Sequence, residues 1–233
     1  MPTLLVFGAR NVGRVLAREV ASDGWNVAAV ARTPGTLDVL RTEVPGALGI
    51  VADAADAADV ERALAETRDR FGGVDLLVDA ITSNPRGGSI LELDADALDP
   101  YVGSLLPAIF NVVRLGARAL VENGGGTLVQ LTGGSARRGM SKRGPWAAAA
   151  FATRALTQSV ASELRERNVH VALLIVDAVI ESDKTADWLK GEPPEKSASM
   201  EEIAKAIVYL HEQSPRAWTH ELVLTPALEA WVP

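Results

Sequence analysis

Near the amino end, Gly8-Ala-Arg-Asn-Val-Gly13 closes the apolar run Leu4–Phe7 and opens a stretch with helical spacing. Glycines at such a strand-to-helix turn let the backbone approach a pyrophosphate, and the helix N-terminus aims its free N–H groups at it. Arg10 stands in the middle glycine's place of Gly-x-Gly-x-x-Gly, where positive φ would cost a side chain about 1–2 kcal/mol. A guanidinium about 4 Å from a phosphate could return a few kcal/mol at the effective dielectric of a protein surface. Arg32-Thr33, after the second apolar run, replaces the acid that would hold ribose hydroxyls. Both arginines favour a 2′-phosphate, so the dinucleotide expected is NADP(H). The plain alternative is a tight turn that binds nothing.

Other candidates lie at the ends of apolar runs. Ser135, in Gly133-Gly-Ser-Ala-Arg137, resembles a nucleophile elbow, but Arg137 replaces the second glycine and a turn serine is the simpler reading. Asp177 follows Val169–Val176; a carboxylate there could act as base in an elimination or isomerisation, or could cap a turn. Gln130, Asp79 and Glu181 are further polar groups near strand ends. His170, His211 and His220 show no metal-ligand spacing and are expected at the surface or at strand ends. No metal site is expected. Arg137–Arg143 is a dense basic run that could draw in an acidic substrate or a carrier phosphate, or simply be solvated.

The elements that must position these groups alternate. Apolar runs at Leu4–Phe7, Trp25–Ala31, Leu48–Ala52, Val74–Val78, Thr127–Thr132, Val169–Val176 and Glu221–Thr225 read as strands. Helical spacing marks 12–20, 36–43, 60–71, 100–122, 146–167 and 200–213, with Gly72-Gly73 and Asn123-Gly-Gly-Gly126 as stops. Continuous apolar strands alternating with helices imply a doubly wound α/β sheet of about seven mostly parallel strands, helices on both faces. No linker interrupts it, so one domain over 1–233 is expected. The segment 177–199 is too long for a plain connection.

Composition bounds the partners. The net charge of −7 argues against nucleic acid or an anionic membrane, because phosphate neutralisation needs surplus Lys and Arg. The absence of cysteine removes disulfides, thiol nucleophiles and thiolate metal sites. No apolar stretch is expected to reach the roughly 18 residues of a membrane span. The start lacks a signal-peptide pattern, so a cytoplasmic location is expected.

Thr127-Leu-Val-Gln-Leu-Thr-Gly-Gly-Ser135 followed by the Ala-rich stretch Gly144–Leu156 resembles the core of the short-chain dehydrogenase/reductase family. The resemblance runs along nearly the whole chain and implies a Rossmann-type fold. In that family a Ser ends the fifth strand, and Tyr-x-x-x-Lys opens the next helix about a dozen residues later. Aligning Leu128–Thr132 from one side and Arg154–Ser159 from the other puts these positions on Gly133, Trp146 and Ala150. The resemblance therefore implies that none of the three catalytic side chains is retained, and that the supporting Asn falls on Leu105. It also implies cofactor contacts from Gly8, Arg10, Asn11, Val12, Gly13, Arg32, Thr33, Asp53 and Ala80, although Asp79-Ala80-Ile81 departs from the family's Asn-Asn-Ala-Gly. Loop 177–199 corresponds to the substrate lid, with Trp188 and Leu189 as apolar lid residues. Helices 100–122 and 146–167 form the family's dimer face, so a homodimer or homotetramer is expected.

The leading expectation is an NADP(H)-binding homologue without the family's proton-transfer groups, working as a non-redox enzyme on a small apolar molecule or as a silent binding subunit. The alternative is an NADPH-dependent carbonyl reductase with an unconventional proton donor. A purely structural partner is the third possibility.

Overall fold

Seven strands, all parallel, form one sheet in the order β3-β2-β1-β4-β5-β6-β7. They are β1 (Thr3–Phe7), β2 (Asn26–Ala31), β3 (Leu48–Val51), β4 (Leu76–Asp79), β5 (Gly126–Gly133), β6 (Val169–Val176) and β7 (Glu221–Leu224). The coordinates are a computed structural model that describes residues 1–82 and 87–230. The helices are α1 (Val12–Ser22), α2 (Pro34–Glu43), α3 (Ala57–Phe71), α4 (Leu106–Glu122), α5 (Gly144–Leu164), the short α6 (Ala186–Leu189) and α7 (Met200–His211).

Strands buried on both faces need apolar residues at every position, and β6 is buried throughout. One face of the sheet packs on α1, α2 and α7 through Leu16, Val20, Leu37, Leu40 and Ile207. The other packs on α3, α4 and α5 through Val60, Val112, Leu120 and Ala149. Chain order reverses between β1 and β4, and at such a switch point a crevice opens beyond the carboxyl ends of the strands.

Three expectations need correction. The fourth strand begins two residues later than expected and ends one later, at 76–79 instead of 74–78, with Asp75 bonding Thr3 at the strand's entry, its Oδ2 accepting from Thr3 N at 2.8 Å. Asp79 thereby becomes the last strand residue. The helix expected over 100–122 begins as a π-helix, Tyr101–Leu105, in which Leu106 N–H bonds Tyr101 O. Pro107 has no N–H to continue the regular ladder, which accounts for the wider turn. Finally, within the helical stretch 95–122 an 18-residue window reaches a mean hydropathy of 1.4, enough by length and composition to cross a membrane. Since 56% of that window is buried inside the fold, its apolarity is also that of a core helix.

Candidate functional site

The crevice at the switch point is a cavity of about 700 Å³. Its near end is the β1–α1 turn. Gly8 has φ +96°, and a Cβ there would stand 2.7 Å from Ala80 O; a Cβ on Gly13 would stand 2.5 Å from Gly8 O. Both glycines are therefore demanded by close approach. Arg10 is not among the residues with positive φ, so the strain expected of a side chain in that place does not arise. No side chain caps α1 at Asn11, so its first-turn N–H groups are left without a side-chain acceptor at the end where Asn11 and Val12 line the cavity.

Arg10, Asn11, Val12, Arg32, Thr33 and Asp53 all line the cavity, as does Ala80; Gly13 lies directly behind, against Gly8. Thr33 Oγ1 and Thr36 Oγ1 are 3.0 Å apart, and Thr36 is also in the lining. Asp53 Oδ1 accepts from Ala55 N at 3.0 Å, which holds the loop after β3 against the cavity. Two guanidinium groups, a hydroxyl pair and an uncapped helix end make a surface fitted to a polyanion.

At the far end, β5 and α5 supply Thr132, Gly133, Trp146, Ala150 and Thr153. A Cβ on Gly133 would lie 3.8 Å from Trp146 Cζ2, so the two positions face one another in van der Waals contact. Trp146 is held edge-on by Tyr101, ring centroids 6.1 Å apart at 72°. Tyr101 is fully buried beneath the indole, and Tyr209 is 56% exposed on α7. Among the described residues no tyrosine lines the cavity.

Several candidates are elsewhere. Ser135 is buried in the turn after β5, outside the cavity lining, and its Oγ has no described partner. Asp177 is not a free base: Arg138 donates to it from Nη1 at 2.6 Å and from Nη2 at 3.0 Å. That pair raises the guanidinium above its ordinary range. None of residues 137–143 lines the cavity itself. Trp188 is 74% exposed on α6 and does not close on the cavity; from the same loop Ala178, Ile180 and Lys184 do reach it.

His170 stands at the start of β6 and His220 just before β7, at strand ends as expected, and His211 at the end of α7, but His170 and His211 are packed rather than free. His170 is buried in β6, with Nε2 2.8 Å from Thr219 O and its ring stacked on Trp218. His211 Nδ1 is 3.1 Å from Thr127 Oγ1, with Trp25 edge-on at 5.0 Å. Burial lowers both below the ordinary histidine range. They belong to the packing at the opposite end of the strands. Among the described residues no cluster could hold a metal ion.

Sequence reasoning did not single out Lys184, Thr36 or Thr132 as lining residues. Strand parity could have placed Thr132, but Lys184 arrives through a loop path that local pattern does not encode.

A family model described as short chain dehydrogenase matches residues 3–192. Human L-xylulose reductase is 29% identical over 221 residues, covering 89% of this chain and 87% of that protein. The crystal structure of levodione reductase superposes with a TM-score of 0.86 at 19% identity, covering 97% of this chain and 96% of that one. An alcohol dehydrogenase from the archaeon Thermococcus sibiricus, complexed with 5-hydroxy-NADP, gives 0.83 at 23% identity, with 97% of each chain covered.

Proposed function

The chain belongs to the short-chain dehydrogenase family, and on that premise we propose that its cavity binds NADP(H) while the family's proton-transfer step is lost. The protein would act on a small apolar molecule as a non-redox enzyme or as a silent binding subunit. Gly8 and Gly13 would admit the pyrophosphate to the backbone, and Arg10 and Arg32 would hold the 2′-phosphate. The bound nucleotide would supply hydride chemistry.

The observation that carries the second half is the wall formed by Gly133, Trp146 and Ala150. Hydride addition to a carbonyl leaves an alkoxide that must gain a proton, and positioned transfer is worth about 10²–10⁴ in rate. An indole N–H does not ionise in water's range, and glycine and alanine bring no proton or cation. What the wall offers is aromatic and methyl surface, suited to a small apolar ligand.

A second reading, an NADPH-dependent carbonyl reductase with an unconventional donor, draws support from Lys184, Ser104 and Thr132 in the same lining. The names of L-xylulose reductase and the Thermococcus alcohol dehydrogenase favour this class too. The two readings share NADP(H) and differ in turnover.

The first test is a titration with NADPH followed by tryptophan fluorescence, since Trp146 faces the cavity. Quenching or a spectral shift below millimolar supports both; a flat signal sinks both and leaves a structural role. NADPH consumption over a panel of carbonyl compounds then separates them, no turnover above the uncatalysed rate favouring the first. For assembly we propose a homodimer or homotetramer through 100–122 and 146–167. Phe110 and Phe151 are 48% and 42% exposed on α4 and α5, beside the small residues Ala148, Ala152 and Ala155. Light scattering on Ala152→Arg should report monomer if this face is used.

A further inference from the structure

β4 ends on Asp79, whose side chain is fully enclosed. Its register partners are Phe7 on β1 and Gln130 on β5. Side chains level with one another on adjacent parallel strands share a face, and Phe7 packs in the cluster under α3, α4 and α5. Asp79 and Gln130 therefore stand side by side in that apolar layer. Asp79 Oδ1 accepts from Ile81 N at 2.9 Å. Among the described residues Asp79 Oδ2 has no partner, and neither has Gln130 Oε1; the amide's Nε2 donates to Leu131 O at 3.1 Å.

Two neighbouring oxygens, sealed from water, thus lack a donor between them. One proton on Asp79 Oδ2 provides it: the neutral acid donates to Gln130 Oε1, and the cost of an isolated buried charge is removed. We infer that Asp79 is a positioning residue that keeps its proton in the folded chain and thereby ties β4 to β5 beneath the cavity. Ala80 and Ile81, which follow it, line that cavity, and Gly8 makes its close approach to Ala80 O. An ionised Asp79 would draw water or shift away from Gln130, and either movement displaces this shelf.

Electrostatics agree with the geometry. Burial is the largest influence on Asp79 and raises its carboxyl to about 7; the Ile81 N–H opposes it, and the Gln130 amide would do so only if its Nε2 turned to the carboxylate from Leu131 O, where it donates. No charged group acts on it among the described residues. Titratable groups on the same face include Tyr101, against the Trp146 ring, Asp177, paired with Arg138, and Glu221, level with Asp79 two strands beyond Gln130 and paired with Arg154 of α5.

The test uses the full chain without ligand. Infrared spectra at about pH 6, where unperturbed carboxyls are ionised, should contain the C=O stretch of a protonated acid. That band should fade as pH passes about 7 and be absent from Asp79→Asn. The asparagine's N–H can replace the acid's O–H, so the variant's thermal midpoint should rise relative to the parent's as pH goes from about 5 to 8. No acid band in the parent, or midpoint curves that run parallel, overturns the inference. If Asp79→Asn does not fold, the parent's infrared titration decides alone. The positioning role rests on the NADP(H) reading and has its own arm. NADPH affinity should weaken at least about threefold over the same pH range in the parent and not in Asp79→Asn. Affinity flat with pH overturns the positioning role, whereas no NADPH binding at any pH, with the acid band present, sinks the NADP(H) reading and that role with it and leaves the proton.

Discussion

Arg10 and Arg32 reach the cavity from different turns, after β1 and after β2, and among the described residues neither is in an ion pair. A guanidinium with no carboxylate of its own keeps its donor fork available for phosphate. A charge-assisted hydrogen bond contributes about 1.5–3 kcal/mol. Arg32→Ala should therefore weaken NADPH about 10- to 100-fold and leave NADH nearly unchanged, as calorimetry with both nucleotides would read. Equal losses would mean that Arg32 does not touch the 2′-phosphate. Across the cavity, Gly133 has extended backbone, φ −102° and ψ 175°, and a Cβ there meets nothing nearer than 3.8 Å. A serine fits that space. The triple variant Gly133→Ser, Trp146→Tyr, Ala150→Lys should gain NADPH-dependent carbonyl reduction, about 10²–10⁴ above the parent. A folded, NADPH-binding triple variant that stays inert would show that these are not the family's catalytic positions.

At the scale of elements, the β1–α1 turn carries the site because two backbones meet there with no room for a side chain. Gly8→Ala combines positive φ, worth about 1–2 kcal/mol, with a Cβ 2.7 Å from the Ala80 carbonyl oxygen. The expected result is a chain destabilised by about 2–4 kcal/mol in urea unfolding, with NADPH affinity reduced in whatever fraction folds. An unchanged midpoint would mean that Ala80 yields easily. The strands and this turn were legible in the sequence, since β6 is apolar at nearly every position and Gly8 and Gly13 bracket a helix start. Legibility failed where tertiary contact decides. Asp177 meets Arg138 across 39 residues of chain, and only the missing Cβ of Gly134 leaves room for the carboxylate. Arg10 looked strained because a glycine pattern was projected onto it, whereas its own φ is negative. The π-turn at Tyr101–Leu105 depends on a proline two residues downstream, and Asp79 is buried as the last residue of a β4 that Asp75 joins to Thr3 at its entry.

Across the whole molecule, buried titratable groups of opposite sign set the pH range of stability. His170 and His211 sit at the amino ends of the sheet, and Asp79 at the carboxyl end. Desolvation is the largest cause for both histidines and holds them below 6.5. Arg165 and His220 push His170 further down, while Asp75 and Glu212 partly oppose the shift at His211. Between its folded value and 6.5 each histidine binds more proton unfolded than folded, so stability rises with pH there and is lost on acidification. Asp79 acts in reverse. Its folded carboxyl keeps a proton up to about 7, against 3.8 in the unfolded chain. The unfolded state binds fewer protons in that window, so stability falls as pH rises through it, by an amount on the order of 4 kcal/mol. The double variant His170→Gln, His211→Gln should thus resist acid better than the parent below about pH 6.5, relative to its own midpoint at pH 8. Measured at one fixed protein concentration, to keep any assembly constant, its thermal midpoint should gain on the parent's as pH falls from 7 to 5. Parallel curves for variant and parent would mean that both histidines accept protons without cost in the folded chain, and that their burial against Trp218 and Trp25 is shallower than the ring contacts imply.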